Sequence, residues 1–294
     1  MKSDIPVSLE IRKRAESLLY PYVVYSTALI LASMVYQLLR GSFSMMEVGK
    51  GFLGMLYSRF CLFPLGRERN IFFLSSGNAP MWFLTALFLA SVLTRFCLSA
   101  DQNRKKYIII GYCFATYFLA ELPFLLPWSL DTAFIASIFM LLGFWLKRNG
   151  FETIEKRKLC FSMAILFPVY MFATSYNGEI NMSVRVYGSG GGQISIILFL
   201  VIGICYSFLC CSLCRLGESF HIFRLLSVVG KSSLSILCTH LLIYQLYTCV
   251  FPDSLFGNRK MASLVGCIWT IFAGVALHMI LKRLAHFIPF LKRL

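Results

Sequence analysis

Charged side chains are scarce in this sequence: they make up 14% of its 294 residues, and only 13 are Asp or Glu. A soluble chain of this length needs a far more polar surface, because one core cannot hide apolar residues that amount to 58% of the whole. With a mean hydropathy of +0.73, an integral membrane protein is the class that remains. The opening MKSDIPVSLEIRKR is polar, and no short apolar core with a small-residue cleavage site follows it, so a cleavable signal peptide is not expected. The 11 cysteines lack the paired spacing of an extracellular disulfide framework and read as small apolar packing residues. Cys210, Cys211 and Cys214 contain one CxxC, but no second CxxC or His pair accompanies it. No metal site is expected there, and S-palmitoylation near a membrane edge is its alternative special role. VVGKSSLSI ends like a phosphate-binding loop, yet its first glycine is missing, with Leu225 in that place. The glycines of GSGGG at 188–192 lack the strand-then-helix setting of a dinucleotide fingerprint.

What is present is length in apolar runs. A membrane-spanning helix needs about 20 apolar residues, and eight segments qualify: 17–39, 80–98, 107–126, 130–146, 158–174, 194–214, 232–251 and 262–281. An all-α polytopic bundle of about eight transmembrane helices is expected, as a single domain over residues 1–294. The net charge of +15 would suggest nucleic acid for a soluble protein; here the basic residues sit between apolar runs, and the lipid bilayer is the expected partner. With the N-terminus placed in the cytoplasm, 20 of the 28 Lys and Arg fall on the inner side, which fits two cytoplasmic termini. The outer loop at 40–79 holds GFLGMLYSRF and NIFFLSS, too short to span and suited to a re-entrant or interfacial position. The glycine run in the outer loop at 175–192 gives a flexible return, and the closing KRLAHFIPFLKRL suits the inner interface.

Polar groups inside spanning segments are costly, so function is sought there. Ser233, His240, Tyr244 and Tyr247 share one face of a helix, where His240 can act as a base near neutral pH; a plain helix-to-helix hydrogen bond is the competing reading. The turn ELPFLLPWSLDTAF places Glu121 near one helix end and Asp131 in the first turn of the next, with Ser129 as the expected N-cap. Both carboxylates can bond sugar hydroxyls or orient a base, although the first-turn dipole accounts for Asp131 without a ligand. In GNAPMWFL, Trp82 stands at interfacial depth and Asn78 can cap the helix that Pro80 opens; belt membership and capping are the structural alternatives.

The order LLYPYVVYS, GNAPMWFLTALFLASVL, LPWSLDTAFIASIFMLLGFWLK, NGEINMSVRVYG and VGKSSLSILCTHLLIY resembles the integral-membrane acyltransferase family 3, in its fucose 4-O-acetylase-like branch, over about residues 12 to 251. The resemblance implies a bacterial inner-membrane protein, typically of ten helices. It moves an acyl group, commonly acetyl from cytoplasmic acetyl-coenzyme A as co-substrate with no bound cofactor, onto hydroxyls of a sugar or glycan acceptor. A base takes the hydroxyl proton and the oxygen attacks the thioester, directly or through a carried acyl group. The family's basic motif before its third helix maps onto Arg14 and Ser17, which leaves Arg14 for the donor phosphates. The family's catalytic His in the first helix has no counterpart, since no histidine precedes His221. The expectation is a shortened member, through a late start codon, a frameshifted gene or a split one whose missing helix pair comes from a separate chain, with low or no activity alone, or a diverged protein in which His240 or the outer carboxylates do different work. The site expected from this chain is His240 and Asp131 at the transfer step, with Asn78, Trp82, Glu121 and Tyr244 at the acceptor. The alternative is a non-catalytic membrane component that handles a polysaccharide or lipid-linked sugar.

Overall fold

A membrane offers no partner for exposed backbone N–H and C=O groups, so long apolar segments must close their hydrogen bonds internally as helices. The computed structural model describes residues 7–64, 70–73, 80–189, 192–251 and 258–284; Asn78 and the last ten residues lie outside them. The elements are α1 (Val7–Leu39), α2 (Met45–Tyr57), α3 (Trp82–Ser99), α4 (Gln102–Ala120), α5 (Leu130–Arg148), α6 (Lys156–Asn177), α7 (Gly192–Leu216), α8 (His221–Lys231), α9 (Ser233–Val250) and α10 (Arg259–Leu284). The fold is all-α, a polytopic helix bundle.

Seven of the described helices are long and apolar enough to cross a membrane. The eighth expected span, α4, carries Arg104, Lys105 and Lys106 near its start and stops at Ala120, short of the expected residue 126. Pro123 explains the early stop, because proline has no N–H and disfavours helical geometry in the residue before it. The uncharged part of α4 is therefore shorter than the hydrocarbon core is thick.

α3 packs between α1 and α5, α4 lies on α5, and α6 pairs with α7. The α9–α10 pair meets the rest of the bundle through α1, where Tyr22, Tyr25 and Leu29 close a core with Met81, Leu84 and Cys238. One end of the bundle carries most of the basic residues. There Arg95 on α3 lies 3.1 Å from Glu10 on α1, Arg215 donates to the Phe151 carbonyl at 2.6 Å, and Ser235 on α9 meets His278 Nδ1 on α10 at 3.1 Å.

α2 runs antiparallel along α1. Ser44 N–H donates to the Gln37 side chain, a Cβ at Gly51 would touch Ile30, and the Tyr22 hydroxyl donates to the Met55 carbonyl. These contacts step back fifteen positions along α1, about 22 Å at about 1.5 Å per residue, so this short apolar piece folds back beside its neighbour. α8 replaces what reads as an inner loop. Its Ile222, Leu225, Leu226 and Val228 are exposed, and with Arg224 and Lys231 they suit an interfacial helix.

The close approach of α9 and α10 depends on a small residue. A Cβ at Gly266 would lie 2.7 Å from a Tyr244 ring carbon and 2.9 Å from a Tyr247 ring carbon. Gly266→Leu is expected to cost about 1–3 kcal/mol by overpacking, read as a lowered unfolding temperature in detergent.

Candidate functional site

Opposite the basic end, three loops meet in a buried polar layer. Ser58 ends α2 in the left-handed region, at φ 56°, with its N–H on the Gly54 carbonyl and its hydroxyl 2.7 Å from Thr85 Oγ1. That turn sends Arg59 inward to 0% exposure. Its Nε donates to the Leu126 carbonyl at 3.2 Å, Nη1 donates to the Ser183 carbonyl at 3.1 Å, and Nη2 is paired with Asp131 Oδ1. From the third loop, Arg185 Nη1 donates to Asp131 Oδ2 at 3.0 Å and to the Phe124 carbonyl at 2.9 Å, while Nη2 holds the Leu122 carbonyl. Burial pulls the Arg59 guanidinium below its usual pKa, against the opposing pull of Asp131, but an arginine in a protein does not lose its proton.

Asp131 is at 0% exposure, and each of its oxygens is taken twice. Oδ1 accepts from Arg59 and from Thr132 N–H at 2.9 Å; Oδ2 accepts from Arg185 and from Leu126 N–H at 3.3 Å. Two guanidinium groups on one carboxylate leave the cluster with one net positive charge. Ser129 stands at the N-cap of α5 as expected, but it does not cap by its side chain: it has φ 59° and its hydroxyl lies 3.4 Å from the Trp82 carbonyl instead. Among the described residues, the four non-glycine residues with positive φ, Ser58, Trp128, Ser129 and Arg185, all belong to the loops that form this layer. Each costs about 1–3 kcal/mol and persists where surrounding bonds over-determine it.

Trp82 places its ring 5.8 Å below the Arg59 guanidinium, a cation–π contact that ties it to Asp131 through one side chain. Glu121 is exposed at the C-cap of α4, beside Leu122. Tyr187 is 5% exposed and its hydroxyl, like Arg185 Nε, has no hydrogen-bond partner among the described residues. Burial, then the Asp131 charge, pushes the Tyr187 pKa up, so the hydroxyl remains a donor. Arg59 and Arg185 are the site residues that sequence reasoning missed. The available signal was their place among the few cations on the expected outer side, Arg185 between two valines and Arg59 between Ser58 and Phe60, where the positive-inside pattern gives no reason for a charge. Arg59→Lys keeps the charge but cannot span three acceptors; a loss of about 2–3 kcal/mol is expected in thermal unfolding, from carbonyls left without donors.

A second place gathers titratable groups: a cleft of 560 Å³ between α9 and α10, lined by Ser233, His240, Tyr244 and Thr270 among apolar neighbours. His240 Nδ1 lies 2.9 Å from the Leu237 carbonyl and 3.2 Å from that of Ile236. Carbonyls only accept, which places a proton on Nδ1, so that in the neutral ring the lone pair is on Nε2. Tyr247 leaves the expected polar stripe: it is buried and its hydroxyl donates to the Ala262 carbonyl at 3.3 Å, joining the two helices.

The structure thus brings Trp82 and Asp131 together through Arg59, and His240 together with Tyr244. Among the described residues, no hydrogen bond or ring contact joins Arg59, Trp82 or Asp131 to His240 or Tyr244. Arg14 belongs to neither; it is half-buried on α1, four residues on from Glu10 and so one turn from the Glu10–Arg95 pair. Among known proteins, the family model described as an acyltransferase domain, that of acyltransferase family 3, matches residues 2–281. No curated protein and no solved structure matches the chain.

Proposed function

The chain belongs to acyltransferase family 3, and on that premise we propose that it transfers an acetyl group from acetyl-coenzyme A to a sugar hydroxyl of a surface polysaccharide or glycan. In this reading the basic end faces the cytoplasm of a bacterium, both termini lie inside, and the protein sits in the inner membrane; the excess of Lys and Arg at that end supports the orientation. Arg14 receives donor phosphates there.

The observation that carries the site assignment is the His240 Nδ1 contact with the Leu237 carbonyl at 2.9 Å in the wall of a cleft, which leaves Nε2 as the ring nitrogen not engaged by the helix backbone. Nε2 takes the acceptor hydroxyl proton while the oxygen attacks the thioester carbonyl. The C–S bond then breaks and the proton passes to the departing thiolate, so that an ester and free coenzyme A result. Tyr244, in the same cleft, orients the acceptor by its hydroxyl. The Arg59–Asp131–Arg185 layer serves as a rigid frame apart from that cleft, and Trp82, Glu121 and Asn78 are the groups proposed to meet a part of the glycan away from the hydroxyl that is acetylated. With its four acceptor directions already occupied, Asp131 acts as a positioning residue.

Cells with and without the chain test this reading: glycans are released and their O-acetyl content is measured by mass spectrometry. O-acetyl esters that appear only with the chain support it; unchanged glycans when the chain is present in the membrane contradict it. A separate chain supplying a helix pair with its own histidine is the other source of a base. Transfer that appears only on its co-expression and persists in His240→Ala assigns the base to that chain.

A further inference from the structure

We propose that the groove between α4 and α5 holds an anionic phospholipid, its phosphate headgroup seated among Arg95, Lys105, Lys106 and Arg148. At the basic ends of α3, α4 and α5 lies a pocket of 400 Å³ to which these four cations contribute and no carboxylate does. Glu10 balances Arg95 at 3.1 Å. Among the described residues no carboxylate pairs with Lys105, Lys106 or Arg148, so three positive charges face the pocket uncompensated.

The walls change character within one helical turn. On α4 the pocket face runs Gln102, Lys105, Lys106, Ile109, and on α5 it runs Arg148, Trp145, Phe144, Leu141, in each case from polar to apolar along one stripe of the helix. At Ile109 the pocket meets a second cleft, of 510 Å³, which continues along the same stripes past Cys113 and Thr116 of α4 and Ile138 and Ile135 of α5 to Ile196 and Ile197 of α7. A cationic basin that opens into a long apolar cleft has the shape and polarity of a phospholipid. Basic pockets between membrane helices recognise anionic headgroups in this way. An acetyl thioester has no chain to fill the apolar part, and this argues for lipid over a soluble phosphate ester. The lipid also makes up for the short uncharged length of α4, by placing a headgroup level with Lys105 and Lys106.

The test is native mass spectrometry of the full chain in mild detergent, offered phosphatidylglycerol or phosphatidylcholine. The wild type is expected to retain phosphatidylglycerol at least about tenfold over phosphatidylcholine. A triple variant, Lys105→Gln with Lys106→Gln and Arg148→Gln, is expected to lose that preference, while Lys156→Gln with Arg157→Gln, an exposed basic pair at the start of α6, keeps it. Ile138→Trp, which fills the apolar cleft and leaves the charges in place, is expected to lower retention of phosphatidylglycerol as well. Equal retention of both lipids by the wild type, or an undiminished preference in the triple variant, overturns the proposal. So does coenzyme A that displaces the lipid from the wild type at equimolar concentration, which would assign the pocket to a soluble phosphate ester.

Discussion

Replacing Asp131 with Ala is expected to cost about 3–5 kcal/mol of stability, the range for removing one partner from a buried ion pair, and with two guanidinium groups released the upper end applies. Arg59 and Arg185 would face each other at near-zero exposure with no counter-charge, and the half-buried Leu126 N–H and the buried Thr132 N–H would each lose an acceptor. A whole protein is held by about 5–15 kcal/mol, so little folded Asp131→Ala protein should survive extraction into detergent. Adding Arg59→Met and Arg185→Met should recover part of the loss, since apolar replacements of a buried ionic cluster are tolerated where a half-removed one is not. Unfolding temperatures of the single and triple variants give the comparison. An Asp131→Ala protein as stable as wild type but without transfer would instead make Asp131 a group that works on substrate.

The second large effect is on rate. His240→Ala is expected to lower acetyl transfer by about 10²–10⁴-fold, the contribution of a positioned general base. It should leave stability within about 1 kcal/mol, because the Nδ1 bonds are to carbonyls of its own helix and both carbonyls already serve the helix ladder. Tyr244→Phe removes a hydroxyl that orients without moving a proton, so its effect is expected in KM more than in kcat. The two measurements separate the clefts: loss of folding belongs to Asp131 and loss of rate with folding intact belongs to His240.

The apolar runs were legible because a bilayer leaves helix as the only way to close the backbone bonds of 20 apolar residues. The position of α2 was legible for the opposite reason, being too short to cross. α8 went unread although Ile222, Leu225, Leu226 and Val229 carry the helical spacing, since its charges and its position between two spans suit a loop as well. The end of α4 was misjudged by counting apolar residues through Pro123. Asp131 was noticed by a local rule, the first-turn dipole, and that rule gave the wrong partners. Its real partners, Arg59 and Arg185, lie 72 and 54 positions away in the chain, a distance that no local spacing encodes. What the sequence did carry was an anomaly of charge, two arginines on the side where arginine is uncommon.

The most direct measurement is acetyl transfer from labelled acetyl-coenzyme A to glycan by the chain reconstituted in lipid vesicles, wild type against His240→Ala. Labelled ester is expected with the wild type, and a fall of about 10²–10⁴-fold with the variant at unchanged unfolding temperature. Equal labelling by the two proteins would contradict His240 as the base.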